Sequence, residues 1–530
     1  MASPTHTNDH RDYVDPTSIK AQLDDWHADR GGKSFAAAMI PTWSHHNNTE
    51  DKVIHNPFKL LALVKGMDWL YFFSGWFAWT CDGFDYFAVS VTMSELAAQF
   101  GKTTAQIAEA ITLTLLFRSL GAVIFGIAAD RYGRKWTLVI NLILICVFEI
   151  GSGLCNTYEQ FLGVRAMFGI VMGGIWGQAA STALENIPVQ ARGLCSGMLQ
   201  QGYSVGYLLA AVFNLTVATY AKARWRSVYF VGAGFSAFAA LIRALLPESR
   251  QYIEARRILK EEGATKGANK RFFREIGNML KTNWIRCIWG ICVMTGFNFL
   301  SHGSQDLYPT YLKTTKGLSA ALATKATILS NVGAVCGGTI SGYMSQYCGR
   351  RLTALIFLVI TAVFLPLWIL PTTFSGLSAG GFWVQFGVQG AWGIVPIYLS
   401  EISPPAFRAS FAGVAYQLGN MASSGAAQIE ADAGETLTVV HKGKVIPDYA
   451  TITGILIGVV IAWLFVFIIL GPEADGSHFE TAKIAIEENA GLEQRHELMH
   501  AQHHDTQAAE YTGKEESNQV ESTAKPVLNA

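Results

Sequence analysis

Gly126-Ile-Ala-Ala-Asp130-Arg131-Tyr-Gly133-Arg134-Lys135 and Gly342-Tyr-Met-Ser-Gln346-Tyr-Cys-Gly349-Arg350-Arg351 are two copies of one short connector, 216 residues apart in a chain of 530. Each opens on glycine, ends on Gly-Arg with a further basic residue, and joins two apolar stretches. The same offset carries Gly174-Ile-Trp176-Gly177 onto Gly390-Ala-Trp392-Gly393. It also carries Glu185-x-x-Pro188-x-x-x-Arg192 onto Glu401-x-x-Pro404-x-x-x-Arg408, and Gln201 onto Gln417. Matches at one constant offset mark an internal duplication.

The duplicated stretches are apolar. Half of the chain is hydrophobic and only 15% is charged, against about 25% charged in a soluble globular chain; the mean hydropathy is +0.25. This composition describes a polytopic membrane protein. A span needs about 20 mostly apolar residues, and twelve are expected. The first six cover residues 67–92, 105–128, 136–154, 159–182, 193–219 and 227–246; the second six cover 285–311, 319–345, 352–371, 377–400, 409–429 and 451–471. The organisation that follows is an N-terminal tail (1–66), a six-helix bundle (67–246), a basic central loop (247–284), a second six-helix bundle (285–471) and a C-terminal tail (472–530). The basic residues of the central loop and of both connectors fall on the side of the termini, which the positive-inside rule makes cytoplasmic. Lys222, Arg224 and Arg226 then face outward as a local exception.

The tails read as hydrophilic and poorly ordered, and no cleaved signal peptide is expected. His496, His500, His503 and His504 resemble a metal cluster only in composition and are expected in a solvated tail. Lys483, Lys514 and Lys525 are candidate ubiquitin acceptors for retrieval from the surface. Equal numbers of basic and acidic residues, 40 each, give no reason for a nucleic-acid partner. The eight cysteines lack metal-ligand spacing. No nucleophile–base set, phosphate loop or metal constellation is visible, so neither an enzyme nor a cofactor is expected.

Polar residues inside the spans carry the functional signal, because ionisable groups there are costly. Residues 298–310, Asn-Phe-Leu-Ser-His-Gly-Ser-Gln-Asp-Leu-Tyr-Pro-Thr, lie in the seventh span. Helical spacing puts Asn298, His302 and Gln305 on one face, with Ser301 and Asp306 beside them. The offset maps Asp82 to Asn298, Asp85 to Ser301 and Tyr86 to His302, which sets two polar helices at equivalent depth. Parallel halves of this kind place a solute between them, near the bilayer midplane. Arg118, deep in the second span, suits either a protein acid such as Asp82 or Asp85 or an anionic solute. Asp130, Arg131, Arg134, Glu185, Arg192, Glu401 and Arg408 stand at span ends as candidate gating latches. Gln346 replaces the acid in the second connector.

The connectors and the Glu/Pro/Arg pairs resemble the signatures of the major facilitator superfamily over residues 65–471. Asn298-x-x-Ser301-His302-x-Ser304-Gln305-Asp306-x-x-x-Thr310 resembles, at all eight specified positions, the signature of the fungal lactate/pyruvate–proton symporters, in the sialate/carboxylate branch. The resemblance implies an all-α fold of two pseudo-symmetric six-helix halves and a monomeric plasma-membrane permease. Its substrates would be lactate and pyruvate, with acetate and propionate as further candidates, and the proton its coupling ion. It assigns Arg118 to the substrate carboxylate and Gln417 to recognition. Asn298, Ser301, His302 and Gln305 join them at the substrate, and His302, Asp306, Asp82 and Asp85 are the candidates for the proton. A dicarboxylate symporter, a sugar facilitator and a non-transporting sensor on the same fold are the rival readings.

Overall fold

The computed structural model describes residues 17–28, 34, 37, 56–184, 187–248, 253, 257, 268–404, 408–441 and 444–473. Within them the chain crosses from one face to the other twelve times. Seven helices are long and apolar enough to span by themselves. The remaining crossings are the polar first helix, Gly66–Phe100, and four whose helices are interrupted. The fourth is Tyr158–Met172 with Ile175–Leu184, and the fifth is Val189–Phe213 continued by the π turn Asn214–Ala218. The tenth is Phe374–Gly393 with Val395–Ile402, and the eleventh is Arg408–Ser423 with Ala426–Thr436. This is the major facilitator fold in its all-α form.

Both connectors turn on a glycine in the same strained region, Gly133 at φ +101 and Gly349 at φ +81. A side chain would resist either angle. The helices that follow are capped alike by acids from elsewhere. Glu248, after the sixth span, accepts from the amide of Lys135 at 3.1 Å. Glu473, after the twelfth, accepts from Arg350 and Arg351 at 2.7 and 3.2 Å. A carboxylate at a helix N-terminus satisfies open amides and complements the dipole. On the face away from the termini, capping boxes start the second span (Thr103, Gln106) and the fourth (Thr157, Gln160).

The halves meet along Gly193-x-x-x-Gly197 of the fifth span and Gly338-x-x-x-Gly342 of the eighth. A Cβ on Gly197 would lie 2.5 Å from the Gly338 carbonyl, and one on Gly342 would lie 2.6 Å from that of Gly193. Small residues let membrane helices approach backbone to backbone.

Some expected boundaries are corrected. The first span runs past residue 92 to Phe100, because Met93 and Leu96 keep burying apolar surface. The N-terminal tail is not wholly irregular. Ile19–Ala28 is a helix docked on the second half, with Asp25 paired to Arg286 at 2.6 Å and Trp26 edge-on to Trp289 at 5.5 Å. Ala268–Thr282 forms a helix in the central loop, and a hairpin of Thr438–His441 and Lys444–Pro447 covers the face opposite the termini. The C-terminal histidines and Lys483, Lys514 and Lys525 lie outside the described residues. All eight cysteines are free, and only Cys81, Cys155 and Cys195 are buried.

Candidate functional site between the two halves

The seventh span breaks where its polar stripe ends. Trp284–Gln305 stops before Asp306, and Tyr308–Thr314 restarts with Pro309 in its first turn. Proline lacks an amide donor and cannot sit in a helix interior without breaking the ladder. Among the groups left at the break, the Gln305 carbonyl accepts from Tyr207 Oη at 3.0 Å. Irregular backbone at membrane depth is tolerated only where protein or a cavity satisfies it.

The break divides the stripe into two directions. His302 and Asp306 face the first half. Tyr86 Oη lies 3.0 Å from His302 Nδ1 and donates to Asp306 Oδ2 at 2.8 Å, while His302 Nδ1 and Asp306 Oδ2 are 3.2 Å apart. Repeat-related positions, Tyr86 and His302, thus touch across the pseudo-axis. Ser301 and Gln305 face the tenth span. Ser301 donates to Gln305 Oε1 at 2.9 Å, and Gln305 Nε2 donates to Gln385 at 2.8 Å. Asn298 Nδ2 donates to the carbonyls of Met294 and Tyr416, at 2.8 and 3.4 Å.

From His302 a chain of amides runs into the eleventh span. His302 Nε2 lies 3.1 Å from Asn420 Oδ1, Asn420 Nδ2 donates to Gln417 Oε1 at 2.9 Å, and Gln417 Nε2 donates to the Gly173 carbonyl at 3.3 Å. A backbone carbonyl can only accept, so this end fixes the direction of every bond. Gln417 presents its oxygen to Asn420, Asn420 presents its oxygen to His302, and His302 Nε2 carries a proton. Nδ1 is therefore the nitrogen left to face Asp306 and Tyr86.

Gly173 packs against the backbone of Arg118. The Arg118 side chain is fully buried. Its Nη2 lies 3.4 Å from Asp82 Oδ2, and its Cζ lies 5.7 Å from the centre of the Tyr416 ring. Its Nε and Nη1 make no hydrogen bond, and neither does Asp82 Oδ1 or Tyr203 Oη. Tyr416 stacks on Trp176 at 4.7 Å and Tyr203 on Trp79 at 4.9 Å. The guanidinium thus keeps unused donors and is walled by aromatic rings where the halves meet, and a guanidinium fork matches the geometry of a carboxylate.

Asp85 points elsewhere. It accepts from Ser236 at 2.9 Å, and its carbonyl meets Arg165, which pairs with Glu149 at 2.7 Å. Asp82 and Asp85 thus serve different neighbourhoods. Among the latch candidates, Glu401 grips Arg350 of its own half through two contacts of 2.9 and 3.0 Å. Arg192 is buried, with Nε on the Ile187 carbonyl at 3.0 Å, and Arg134 is half-buried. Gln346 does cross, donating to the Gln190 carbonyl of the fifth span. The side chains of Asp130, Arg131 and Arg408, and the whole of Glu185, lie outside the described residues.

Contacts join the halves toward both faces. Besides the glycine seam on the terminal side, the Ala105 amide meets Glu435 at 3.4 Å and Thr310 Oγ1 meets Met93 Sδ at 3.8 Å toward the other. No group of three metal-ligating side chains occurs among the described residues.

Sequence reasoning missed Asn420, Tyr416, Gln385, Glu149 and Arg165. Asn420 stands one turn beyond Gln417 on the same helix. Glu149 and Arg165 obey the rule that singled out Arg118, since both are charges inside apolar spans.

Two halves closed around a buried, partly unpaired guanidinium and a polar relay define a membrane transporter of the major facilitator class. The chain belongs to the sugar (and other) transporter family, whose model matches residues 66–469. It is 35% identical over 457 residues to a carboxylic acid transporter protein homolog of Saccharomyces cerevisiae, covering 83% of this chain and 74% of that one. A cis,cis-muconate transport protein of Acinetobacter baylyi is 25% identical over 348 residues, covering 65% and 82%. Among solved structures, a xylose transporter from E. coli in a partially occluded inward-open conformation superposes with a TM-score of 0.60 at 17% identity, covering 78% of this chain and all of that one. These relatives are transporters, not enzymes.

Proposed function

We propose that this chain is a plasma-membrane symporter that imports short carboxylates such as lactate and pyruvate together with protons, with both termini cytoplasmic. The observation that carries this is Arg118: a wholly buried guanidinium with two nitrogens that bind nothing, between the halves. A charge at that depth costs at least about 2.5–3.5 kcal/mol unless compensated. A 3.4 Å contact to Asp82 and the Tyr416 side chain compensate it only in part, since Nε and Nη1 stay without partners. A neutral sugar gives no reason for such a group, and the names of the yeast and Acinetobacter relatives favour acids.

In the cycle, the substrate carboxylate takes the open donors of Arg118, and Tyr416 and Tyr203 shape the space around it. The proton resides in the Tyr86–His302–Asp306 trio. The directed relay through Asn420 and Gln417 connects the trio to Gly173, against the Arg118 backbone, so occupancy at one end is felt at the other. Adding a proton with the anion keeps the net charge of the closed site constant. The latches on the terminal side, Gln346–Gln190 and the glycine seam, then separate and release both.

The test is labelled lactate uptake in yeast lacking its own carboxylate permeases, at acidic pH, with excess cold pyruvate or succinate. Saturable uptake abolished by an uncoupler and blocked by pyruvate supports the proposal. Block by succinate assigns a dicarboxylate specificity. Uncoupler-insensitive uptake removes the proton, and no uptake with the protein at the surface returns the sensor reading.

A further inference from the structure

Glu430 belongs to none of the groups described so far. It is 1% exposed, on the Ala426–Thr436 segment of the eleventh span, and its Oε1 is buried without a hydrogen-bond partner. That oxygen points at the seventh span, 3.5 Å from where a Cβ on Gly303 would be. Gly303 lies between His302 and Asp306. Asp306 Oδ1 is also buried and unpartnered. A carboxylate of the eleventh span with a bare oxygen therefore faces the seventh span at Gly303, within one helical turn of Asp306, which has a bare oxygen of its own.

The groups facing this segment are few. From the seventh span they are Asp306 and His302; from the twelfth they are Thr453, which hydrogen-bonds Glu430, and Tyr449. The second span offers the Ala105 amide to Glu435, and its Glu109 turns away to Tyr158. Asp432 and Glu435, further along the same helix, are exposed toward the face opposite the termini. The His302 ring is already engaged by Asp306, 3.2 Å from its Nδ1. A second anion here would be buried and unpaired, which membrane interiors do not tolerate.

We propose that Glu430 is a second proton-binding carboxylate on the transport path, the station between the face opposite the termini and Asp306. In the transfer its O–H bond breaks, the proton passes to the Asp306 carboxylate, and the Glu430 anion is reprotonated from water on that face. The inference rests on the proton-coupled reading above.

The full chain in liposomes, with labelled lactate and an internal pH dye, separates the two. If wild-type protein exchanges lactate but never accumulates it against a proton gradient, the coupled reading fails first. With coupling present in the wild type, Glu430→Gln should lower accumulation and lactate-driven proton flux by about tenfold or more, while lactate exchange without a gradient falls by less than about threefold. Glu430→Asp should recover proton flux with a displaced pH midpoint. Accumulation and proton flux at wild-type levels in Glu430→Gln overturn the proposal, as does parallel loss of exchange and accumulation in both variants. If Glu430→Gln does not reach the bilayer, Glu430→Asp decides: a moved midpoint supports the station, an unmoved one refutes it.

Discussion

The first span and the seventh are copies of one helix that have taken opposite chemistries. Where the first carries Asp82, Asp85 and Tyr86, the seventh carries Asn298, Ser301 and His302. Around the first span stand full charges: Arg118 on Asp82, and Arg165 on Glu149 beside Asp85. Around the seventh, with its His302 and Asp306, stand amides from Gln385 through Gln417 to Asn420 and the carboxylate of Glu430. Duplication gives two equal scaffolds. A permanent charge can attract an anion but cannot switch; an imidazole in a directed amide chain can switch but holds an anion weakly. On the function proposed above, one half would serve as anchor and the other as proton device, with the Tyr86 hydroxyl joining them.

The largest effect should follow from removing the anchor. Arg118→Gln leaves Asp82 without its cation, a loss of about 3–5 kcal/mol for a broken buried pair. Lactate uptake should fall at least about a hundredfold at matched surface expression, and raised substrate should not restore it. Next is the proton device: Asp306→Asn should lower accumulation about tenfold or more and leave uptake flat against external pH.

Exchanging the repeat-related residues breaks the comparison directly. In the double variant Asp82→Asn with Asn298→Asp, the new carboxylate meets the Met294 and Tyr416 carbonyls, which cannot donate to it. If the two chemistries are not interchangeable, uptake should stay about tenfold or more below wild type. Recovery would show that only the sum of the charges matters. Asn420→Ala should cost less, about 1–2 kcal/mol for a neutral buried link, read as a KM for lactate raised about five- to thirtyfold. Trp26→Ala, which loosens the docked N-terminal helix on the terminal face, should change the lactate KM by no more than about twofold. A larger change would tie that helix to transport.

Much of this was legible in the chain. The offset of 216 gave the two halves, and Tyr86 with His302, paired by that offset, touch in the structure. The cost of charge in hydrocarbon pointed to Arg118. What was missed has local causes. Glu430 fell just past the expected end of the eleventh span at 429, because the break at Ser423–Ala426 weakens the apolar signal before the helix resumes. Asn420 is an ordinary polar residue until Gly173, distant in sequence, fixes the polarity of its chain. The pairing of Glu401 with Arg350 is tertiary, since helix-end motifs do not say which half the partner comes from. The docked helix at Ile19–Ala28 is too short to announce itself; its burial comes from Trp289 and the Leu470 carbonyl.

The most direct test of the central claim, that Arg118 anchors an anion which a proton accompanies, is simultaneous lactate and proton flux in liposomes under an inward proton gradient. Lactate should accumulate, protons should enter with it, a protonophore should abolish the gradient-driven part, and Arg118→Gln should abolish both fluxes. Undiminished lactate flux in Arg118→Gln, or lactate accumulation without proton entry, would contradict the account.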